Sequence, residues 1–163
     1  MDVNFKFNTD IFEQFAYKWA LVGAGPMGEH NAMTIAWGGM GTLWGRPVVT
    51  VYVNHDRYTY EFMEKNDYFM VSLYPDECRG ALQIMGSKSG RDCDKPALAG
   101  LTPVAIEHGV TFAEADRTFV CRKIYAADLV AEGADPEIFG NIYKDGRGLH
   151  RMYIGQVEEV IEK

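Results

Sequence analysis

The residues at 54–66, NHDRYTYEFMEKN, place a positive charge and a hydroxyl at the predicted start of a helix. They directly follow an apolar segment, 48–53, and Asp56 is expected to cap the helix. A helix amino end carries unpaired N–H groups and a partial positive charge, to which Arg57 and Thr59 would add further hydrogen bonds. This combination predicts a site for an anion such as a phosphate. The alternative, which residue types alone favour, is an ordinary capped helix with a solvated arginine.

A second candidate is GSKSGRD at 86–92, which follows another predicted helix. Its glycines, Ser87, Lys88, Ser89 and Arg91 make it flexible and rich in donors, suited to wrap a phosphate or a polar ring edge. It lacks the GxxxxGK[ST] spacing of a P-loop, and cations at the carboxyl end of a helix also complement the helix dipole. Both interpretations stay open.

The segment 31–39, NAMTIAWGG, is a third candidate. Ala36 and the two glycines are small enough for a flat ligand to lie against the strand backbone, and Trp37 could stack on it. The alternative is that the glycines are bulge or turn positions and that the tryptophan belongs to the core.

The remaining motifs give weaker predictions about function. GAGPMG at 23–28 has the letters of the dinucleotide motif GxGxxG, but a strand is predicted after it where the motif needs a helix. His150 is a weak candidate for catalysis, because a lone histidine is more often structural. No Ser-His-Asp pattern and no metal-type cluster of His and acids is visible, so neither a hydrolase nor a metal site is predicted.

Composition narrows the class of protein. The net charge is −7 over 163 residues, and such a chain is an unlikely binder of nucleic acid. The three cysteines, Cys78, Cys93 and Cys121, have no disulfide or zinc spacing. The start MDVNFKFN has no secretory pattern, and no apolar run approaches the roughly 20 residues that span a bilayer. A cytoplasmic protein without a membrane segment is therefore expected.

Hydrophobic patterning predicts many strands and few helices. The predicted strands are 15–22, a second one from Asn31 that ends in glycines, 48–53, 68–74, 103–107, 110–114, 118–128 and 152–161. The predicted helices are 56–66 and one opened by Pro75 and closed by Gly86, while 131–149 is expected to be irregular with one turn of helix. Helices inserted singly do not fit a doubly wound sheet, so a closed antiparallel barrel forming one domain over 1–163 is predicted.

Three stretches together resemble one family. They are 31–73, beginning NAMTIAWGGMGTLWGRP, then GSKSGRDCDK at 86–95, then HRMYIGQV at 150–157. In order and spacing they are similar to the flavin reductase-like family with an FMN-binding split barrel, particularly its flavoredoxin-type branch. The resemblance implies a mainly β fold, a six-stranded antiparallel Greek-key split barrel with a few peripheral helices, which pairs into a homodimer with FMN at the subunit interface.

The resemblance also implies roles for individual residues. Arg57 and Thr59 would hold the FMN phosphate. Met33, Thr34, Ala36 and Trp37 would face the flavin ring. Ser87, Lys88, Ser89 and Arg91 would form a loop that closes on the cofactor, with Lys88 as the charge beside the reduced ring. Asn31 and His150 would lie near its reacting side, and Cys93 has no assigned role.

The implied function is an FMN-dependent oxidoreductase that transfers hydride or electrons between NAD(P)H, bound FMN and a flavin or protein acceptor. One alternative is a flavin-binding electron carrier without NAD(P)H activity of its own. Another is a small-ligand binder that kept the barrel and lost the cofactor, since one fold serves many uses. The pair of Arg57 and Thr59 argues against this last alternative.

Overall fold

A computed structural model describes residues 5–163. Residues 1–4, part of the start over which no secretory leader is predicted, lie outside the described residues. The strands are β1 (Ala20–Ala24), β2 (Asn31–Ile35), β3 (Gly38–Leu43), β4 (Arg46–Asn54), β5 (Tyr68–Leu73), β6 (Pro103–Ile106), β7 (Gly109–Phe112), β8 (Arg117–Asp128) and β9 (His150–Glu162). The helices are α1 (Ile11–Glu13), α2 (Tyr58–Lys65), α3 (Arg79–Ser87), α4 (Lys95–Ala99) and α5 (Pro136–Ile142).

Seven strands form one antiparallel sheet in the order β2-β1-β5-β8-β9-β4-β3, and β6 and β7 form a separate hairpin. The prediction of a mainly antiparallel β fold with a few helices is confirmed. The main sheet has seven strands where six were predicted. One predicted strand is in fact two, because the chain leaves β2 after Ile35 and starts β3 at Gly38.

This corner also shows how the sheet curves. β2 and β3 lie at opposite edges of the sheet, yet only Ala36 and Trp37 separate them along the chain. Ile35 and Gly38 are three Cα steps of about 3.8 Å apart, so at most about 11 Å separates the two edges where the chain passes from β2 to β3. The sheet therefore curls on itself, as a barrel requires.

Buried side chains from both halves of the sheet fill its interior. Val51, Phe69, Val71 and Tyr153 have about 0% of their surface exposed and belong to one core cluster. In β4, buried Val49, Val51 and Val53 alternate with half-buried Thr50 and Tyr52. An almost wholly apolar strand such as 48–53 is expected to be buried on both faces, but the observed alternation is that of a sheet with one core face.

The first predicted strand is partly helical. Asp10 accepts a hydrogen bond from the Glu13 N–H at 3.0 Å and caps α1, which continues as a π-helical turn over Gln14–Lys18. Trp19 then takes a positive φ of 67°, and only Ala20–Ala24 is a strand. The aromatic residues near Phe15 have high strand propensity, but the cap at Asp10 favours a helix there.

Three segments beyond the first helices also differ from prediction. α3 continues through Gly86 and ends at Ser87. α4 occupies part of a predicted loop, where Asp94 caps it by accepting from the Ala97 N–H and Gly100 ends it in a left-handed conformation. α5 gives the predicted irregular segment two helical turns, capped by Asp135.

Two global properties follow from the described residues. None of their helices combines the length and the apolar character that a bilayer crossing needs. Cys78, Cys93 and Cys121 are all free thiols.

Candidate functional site

A cleft of about 350 Å³ opens where the amino end of α2, the carboxyl end of α3 and the segment 88–94 meet. The structure brings eight of the predicted site residues to its lining: Asn31, Met33, Arg57, Thr59, Ser87, Lys88, Ser89 and Arg91. These residues come from three separate stretches of sequence, so the fold assembles the first two candidate motifs and the start of the third around one cavity.

The amino end of α2 points its main chain at this cleft. Arg57 occupies the N-cap position, and no side-chain hydrogen bond caps the helix within the described residues. The prediction that Asp56 is the cap is wrong, because its carboxylate accepts a hydrogen bond from the Gly148 N–H at 3.0 Å. First-turn N–H groups without a side-chain cap are the donors that an anionic ligand uses.

Thr59 and Asn31 form the buried base of the cleft. Thr59 is 1% exposed, and its Oγ1 accepts a hydrogen bond from Asn31 Nδ2 at 2.8 Å. Because the oxygen accepts this bond, the hydroxyl hydrogen is left to donate to a third group. Gly90 packs directly on Asn31, since a Cβ at Gly90 would lie 2.2 Å from Asn31 Oδ1. The loop can approach the base of the cleft only because residue 90 has no side chain.

Arg57 brings an uncompensated positive charge. Its Nη2 donates to the Gly86 carbonyl at 2.9 Å, which fixes the guanidinium between α2 and α3. Burial lowers the pKa of Arg57, but an arginine remains charged at neutral pH. None of the ion pairs among residues 5–163 includes Arg57. Its remaining N–H groups are therefore available for an anion.

Arg91 differs from Arg57 because its charge already has a partner. Its Nη2 lies 2.7 Å from Glu61 Oε1, and its guanidinium lies 4.7 Å from the ring centre of Tyr58. Both contacts tie the loop to α2. The structure thus supports Arg91 as a fastening of the loop, while its contact with a cofactor stays a prediction.

One cation of the cleft was not among the residues predicted from the sequence. Lys95, in the first turn of α4, is only 2% exposed and borders the cavity. Its ammonium donates to the carbonyl oxygens of Ala32 at 2.7 Å and Met85 at 3.1 Å. The signal was present in DKPALAG at 94–100, where an aspartate cap, an early proline and a closing glycine mark a short helix.

Four predicted residues do not line this cleft in the described chain. Thr34 donates its hydroxyl hydrogen to the Leu82 carbonyl and so joins β2 to α3. Ala36 is half-buried at the corner between β2 and β3. The remaining two, Trp37 and His150, contact each other.

His150 is the first residue of β9 and forms an aromatic group with Trp37 and Tyr143. Its ring centre is 4.8 Å from that of Trp37, which is 45% exposed, and the Tyr143 hydroxyl lies 2.9 Å from His150 Nδ1. Burial, with smaller contributions from Arg147 and His55, lowers the pKa of His150 to about 4. The imidazole is therefore neutral at physiological pH and is suited to hydrogen bonding rather than to holding a positive charge.

This environment predicts a pH effect on stability. In the unfolded chain a histidine takes up a proton near pH 6.5, whereas folded His150 resists it until about pH 4. Folding is therefore progressively penalised as pH falls from 6.5 to 4, by at most about 3 kcal/mol. Urea unfolding gives the free energy of unfolding of the parent and of His150→Gln at each pH. The parent value minus the variant value should decrease as the pH falls from 6.5 to 4. A difference that stays constant would contradict the buried, neutral imidazole.

The charges of the cleft fit a phosphate group. Arg57, Lys88 and Lys95 border it, and none of them takes part in an ion pair within the described structure. The two acids that also border it are Asp56, which is bonded to Gly148, and Asp92, which is exposed. Three unpaired cations, the Thr59 hydroxyl and a helix amino end match the oxygens and the charge of a phosphate ester. In contrast, no group of three or more His, Cys, Asp or Glu among residues 5–163 could hold a metal ion.

A curved antiparallel sheet with a cationic cleft at a helix amino end defines a mainly antiparallel β protein whose cleft is a candidate site for a phosphorylated ligand. The chain belongs to the flavin reductase-like domain family, whose model matches residues 12–163. The family resemblance predicted from the sequence is thereby confirmed. No curated protein matches the sequence significantly.

Solved structures agree with the family on the fold. Flavoredoxin from Methanosarcina acetivorans superposes with a TM-score of 0.71 at 19% identity, over 99% of this chain and 76% of that one. Flavoredoxin of Desulfovibrio vulgaris (Miyazaki F) gives 0.69 at 21% identity, over 100% and 76%. The FMN-binding protein from Thermus thermophilus, with bound p-hydroxybenzaldehyde, gives 0.70 at 18% identity, over 98% and 81%.

Proposed function

We propose that this protein binds FMN and acts as an oxidoreductase that passes hydride or electrons between NAD(P)H, the flavin and a flavin or protein acceptor. The observation that carries the proposal is the cleft at the start of α2. There Arg57 and Lys95, which have no acidic partner among the described residues, lie beside the buried Thr59 hydroxyl. Family membership and the FMN-binding protein among the similar structures support the same ligand.

In this proposal the chain positions the cofactor and tunes its surroundings. Arg57, Thr59 and the first N–H groups of α2 would hold the phosphate. The loop residues Ser87, Lys88, Ser89 and Arg91 would close on the cofactor. Residues of β2 and the following corner, from Met33 to Trp37, would offer backbone and side-chain contacts to the ring. FMN itself supplies the redox chemistry when bound.

Two further residues would act near the ring. Lys88 would place a positive charge where negative charge develops on reduction, which favours the reduced form. The neutral imidazole of His150, held by Tyr143 and packed on Trp37, would donate or accept a hydrogen bond without adding charge. Neither residue is required to move a proton for hydride transfer.

The simplest test is spectroscopic. The purified protein, or protein mixed with FMN and passed through a desalting column, should be yellow with a flavin absorption spectrum. Denaturation should release FMN in a ratio close to one per chain. A colourless protein that fails to retain FMN would reject the proposal and favour a small-ligand binder without flavin.

Nicotinamide dependence needs a separate experiment, because the proposed electron carrier would bind FMN equally well. The structural likeness to two flavoredoxins makes this second function worth testing. Under anaerobic conditions, NADH or NADPH should bleach the flavin absorption of the loaded protein within seconds to minutes. If only dithionite bleaches it, the protein is an electron carrier that needs another donor.

Cys93 is not expected to take part in flavin reduction. Its thiol lies 3.5 Å from the Ser89 carbonyl and does not line the 350 Å³ cleft. Cys93→Ser keeps the size and a hydrogen-bond donor, so the anaerobic rate of flavin reduction should change less than about twofold. A loss of tenfold or more would show that the thiol has a redox role.

We also propose that the protein is a homodimer built from two Greek-key split barrels. β3 is an edge strand of the sheet. Trp44, in the turn that follows β3, is 65% exposed and contacts the ring of Tyr125 edge-on. An unpaired edge flanked by aromatic residues is suited to a protein contact. Light scattering after size exclusion should give about twice the chain mass of 18.3 kDa, and a monomer at micromolar concentration would reject the dimer.

A further inference from the structure

Lys95 is a buried ammonium whose hydrogen bonds are incomplete. Its side chain is 2% exposed, and two of its three N–H donors reach the carbonyls of Ala32 and Met85. An ammonium group has three donors and no acceptor, so one donor has no protein partner among residues 5–163. The residue borders both the 350 Å³ cleft and a second cavity of about 870 Å³. The third donor thus has space in which to meet a ligand.

The charge of Lys95 has no acidic partner among the described residues. The other cations around the two cavities are Arg57, Lys65, Lys88 and Arg91. The acids around them are Glu29, Asp56, Asp92 and Asp94, and the remaining titratable side chains are His30, Tyr58 and Cys93. Asp94, next to Lys95 in sequence, caps α4 by accepting from the Ala97 N–H, and Asp56 accepts from Gly148.

These surroundings disfavour the charged form of Lys95 in the empty protein. Burial is the main cause and Arg57 adds to it, whereas Cys93 acts in the opposite direction, and together they lower the pKa of Lys95 to about 8. The empty site thus loses the Lys95 proton as pH rises above 8. A dianion in the cleft would favour the charged form and keep the proton in place.

We propose that binding of a phosphorylated ligand is coupled to protonation of Lys95, so that the cleft distinguishes FMN from riboflavin strongly at neutral pH and weakly at alkaline pH. The proposal rests on the proposed function. It gives Lys95 a role in selecting phosphorylated ligands that depends on its burial beside two carbonyl oxygens, whereas Lys88 is exposed.

Linkage fixes the sign and size of the effect. A site that must be protonated to bind loses affinity as the pH rises above the pKa of its free form. With that pKa at about 8, FMN affinity should fall about 20-fold between pH 7.5 and pH 9.5. The phosphate ester does not contribute, since its second pKa of about 6 leaves it fully ionised throughout.

Proton uptake can be measured directly on the wild-type protein. Titration calorimetry at pH 9, in two buffers with different ionisation enthalpies, reports the protons taken up per ligand bound. FMN should take up nearly one proton per site, and riboflavin, which has the same ring and no phosphate, should take up none. FMN binding without proton uptake, or equal uptake with riboflavin, would overturn the inference.

Variants can show which residue takes up the proton when FMN binds. Lys95→Gln keeps an N–H donor but cannot titrate, so it should abolish proton uptake with FMN and flatten the pH dependence. Lys65→Gln, an exposed lysine beside the larger cavity, should leave the uptake unchanged. Cys93→Ser should also leave the uptake unchanged, which excludes the neighbouring thiol as the group that takes up the proton.

The outcomes separate this inference from the proposed function. Uptake that persists in a folded Lys95→Gln protein, or that disappears in Cys93→Ser, would overturn the assignment to Lys95. If Lys95→Gln does not fold, the wild-type comparison of FMN with riboflavin still decides whether binding is proton-coupled. Wild-type protein that binds neither flavin at pH 7 would reject the proposed function and this inference together.

Discussion

Replacing Arg57 with alanine should weaken FMN binding roughly 100-fold, because it removes a half-buried guanidinium that has no acidic partner in the described structure. The loss of one charged hydrogen-bonding partner in such a site costs about 2 to 5 kcal/mol. Fluorescence titration with FMN gives the Kd directly. Retention equal to that of the parent would remove Arg57 from the phosphate site.

Two controls make this result specific. Riboflavin affinity should change less than about threefold in Arg57→Ala, because the missing charge faces the phosphate and riboflavin has none. Arg91→Ala is the matched arginine variant. Its charge is exposed and paired with Glu61, so FMN affinity should fall less than about fivefold. Thermal unfolding of both variants checks that the loss of the Arg57 contact with Gly86 has not unfolded the site.

Gly90→Ala should damage both stability and ligand binding. The new Cβ would lie 2.2 Å from Asn31 Oδ1 and 3.1 Å from the Tyr58 ring, distances that require the loop or Asn31 to move. Overpacking of this kind costs about 1 to 3 kcal/mol. Because Asn31 donates to Thr59, its displacement should also disturb the base of the cleft, and we expect FMN affinity to fall at least about tenfold.

Gly80→Ala provides the matched glycine control. Gly80 lies in α3, and a Cβ there would have no neighbour within 4 Å. Alanine in an exposed helical position should therefore stabilise the protein by about 0.5 to 1 kcal/mol and leave FMN affinity unchanged. Urea unfolding and FMN titration measure both properties. Gly90→Ala with the stability of the parent would show that the loop relaxes without cost.

The cleft also shows how an acidic protein can hold an anion. The chain has a net charge of −7, so the long-range potential around it does not attract phosphate. Attraction must come from nearby charges in partly buried positions, where solvent screens them less. Arg57 and Lys95 meet this condition, whereas the exposed Lys88 contributes less to affinity per charge.

Most of the candidate site can be located from local signals in the sequence. Arg57 and Thr59 stand out because a buried strand runs directly into a helix start with donors, and the loop 86–92 stands out by composition. The same local signals wrongly predict Asp56 as the cap. Asp56 lies two residues before the helix, a position typical of a cap. Its carboxylate instead accepts a hydrogen bond from the N–H of Gly148, which is distant in sequence and cannot be predicted from local spacing.

Lys95 escapes sequence analysis for a related reason. In sequence it is one charged residue in a polar stretch, and such residues are usually solvated. Only the packing of α4 between β2 and α3 buries it and gives it the carbonyls of Ala32 and Met85. Burial, the property that makes it interesting, comes from residues 63 and 10 positions away and leaves no local pattern.

For the fold, too, local sequence patterns predict some features and tertiary contacts alone decide others. Alternating apolar residues determined the class, a mainly antiparallel β protein, because a sheet with one core face imposes a period of two on each strand. The break between β2 and β3 was not predicted, since Ala36 and Trp37 are both compatible with a continuing strand. Their separation to opposite edges of one sheet depends on which strands pair, and pairing is decided by contacts far apart in sequence.

The sequence by itself therefore determined the class of fold, the family and the residues that start α2 and form the following loop, all of which depend on local spacing and residue type. The tertiary structure alone decided that Asn31, Thr59 and Gly90 meet at one point, that Arg57 has no acidic partner among the described residues and that Lys95 is buried beside it. The physical reason is that charge compensation and desolvation are set by everything within a few ångströms in space, and most of those neighbours are distant along the chain.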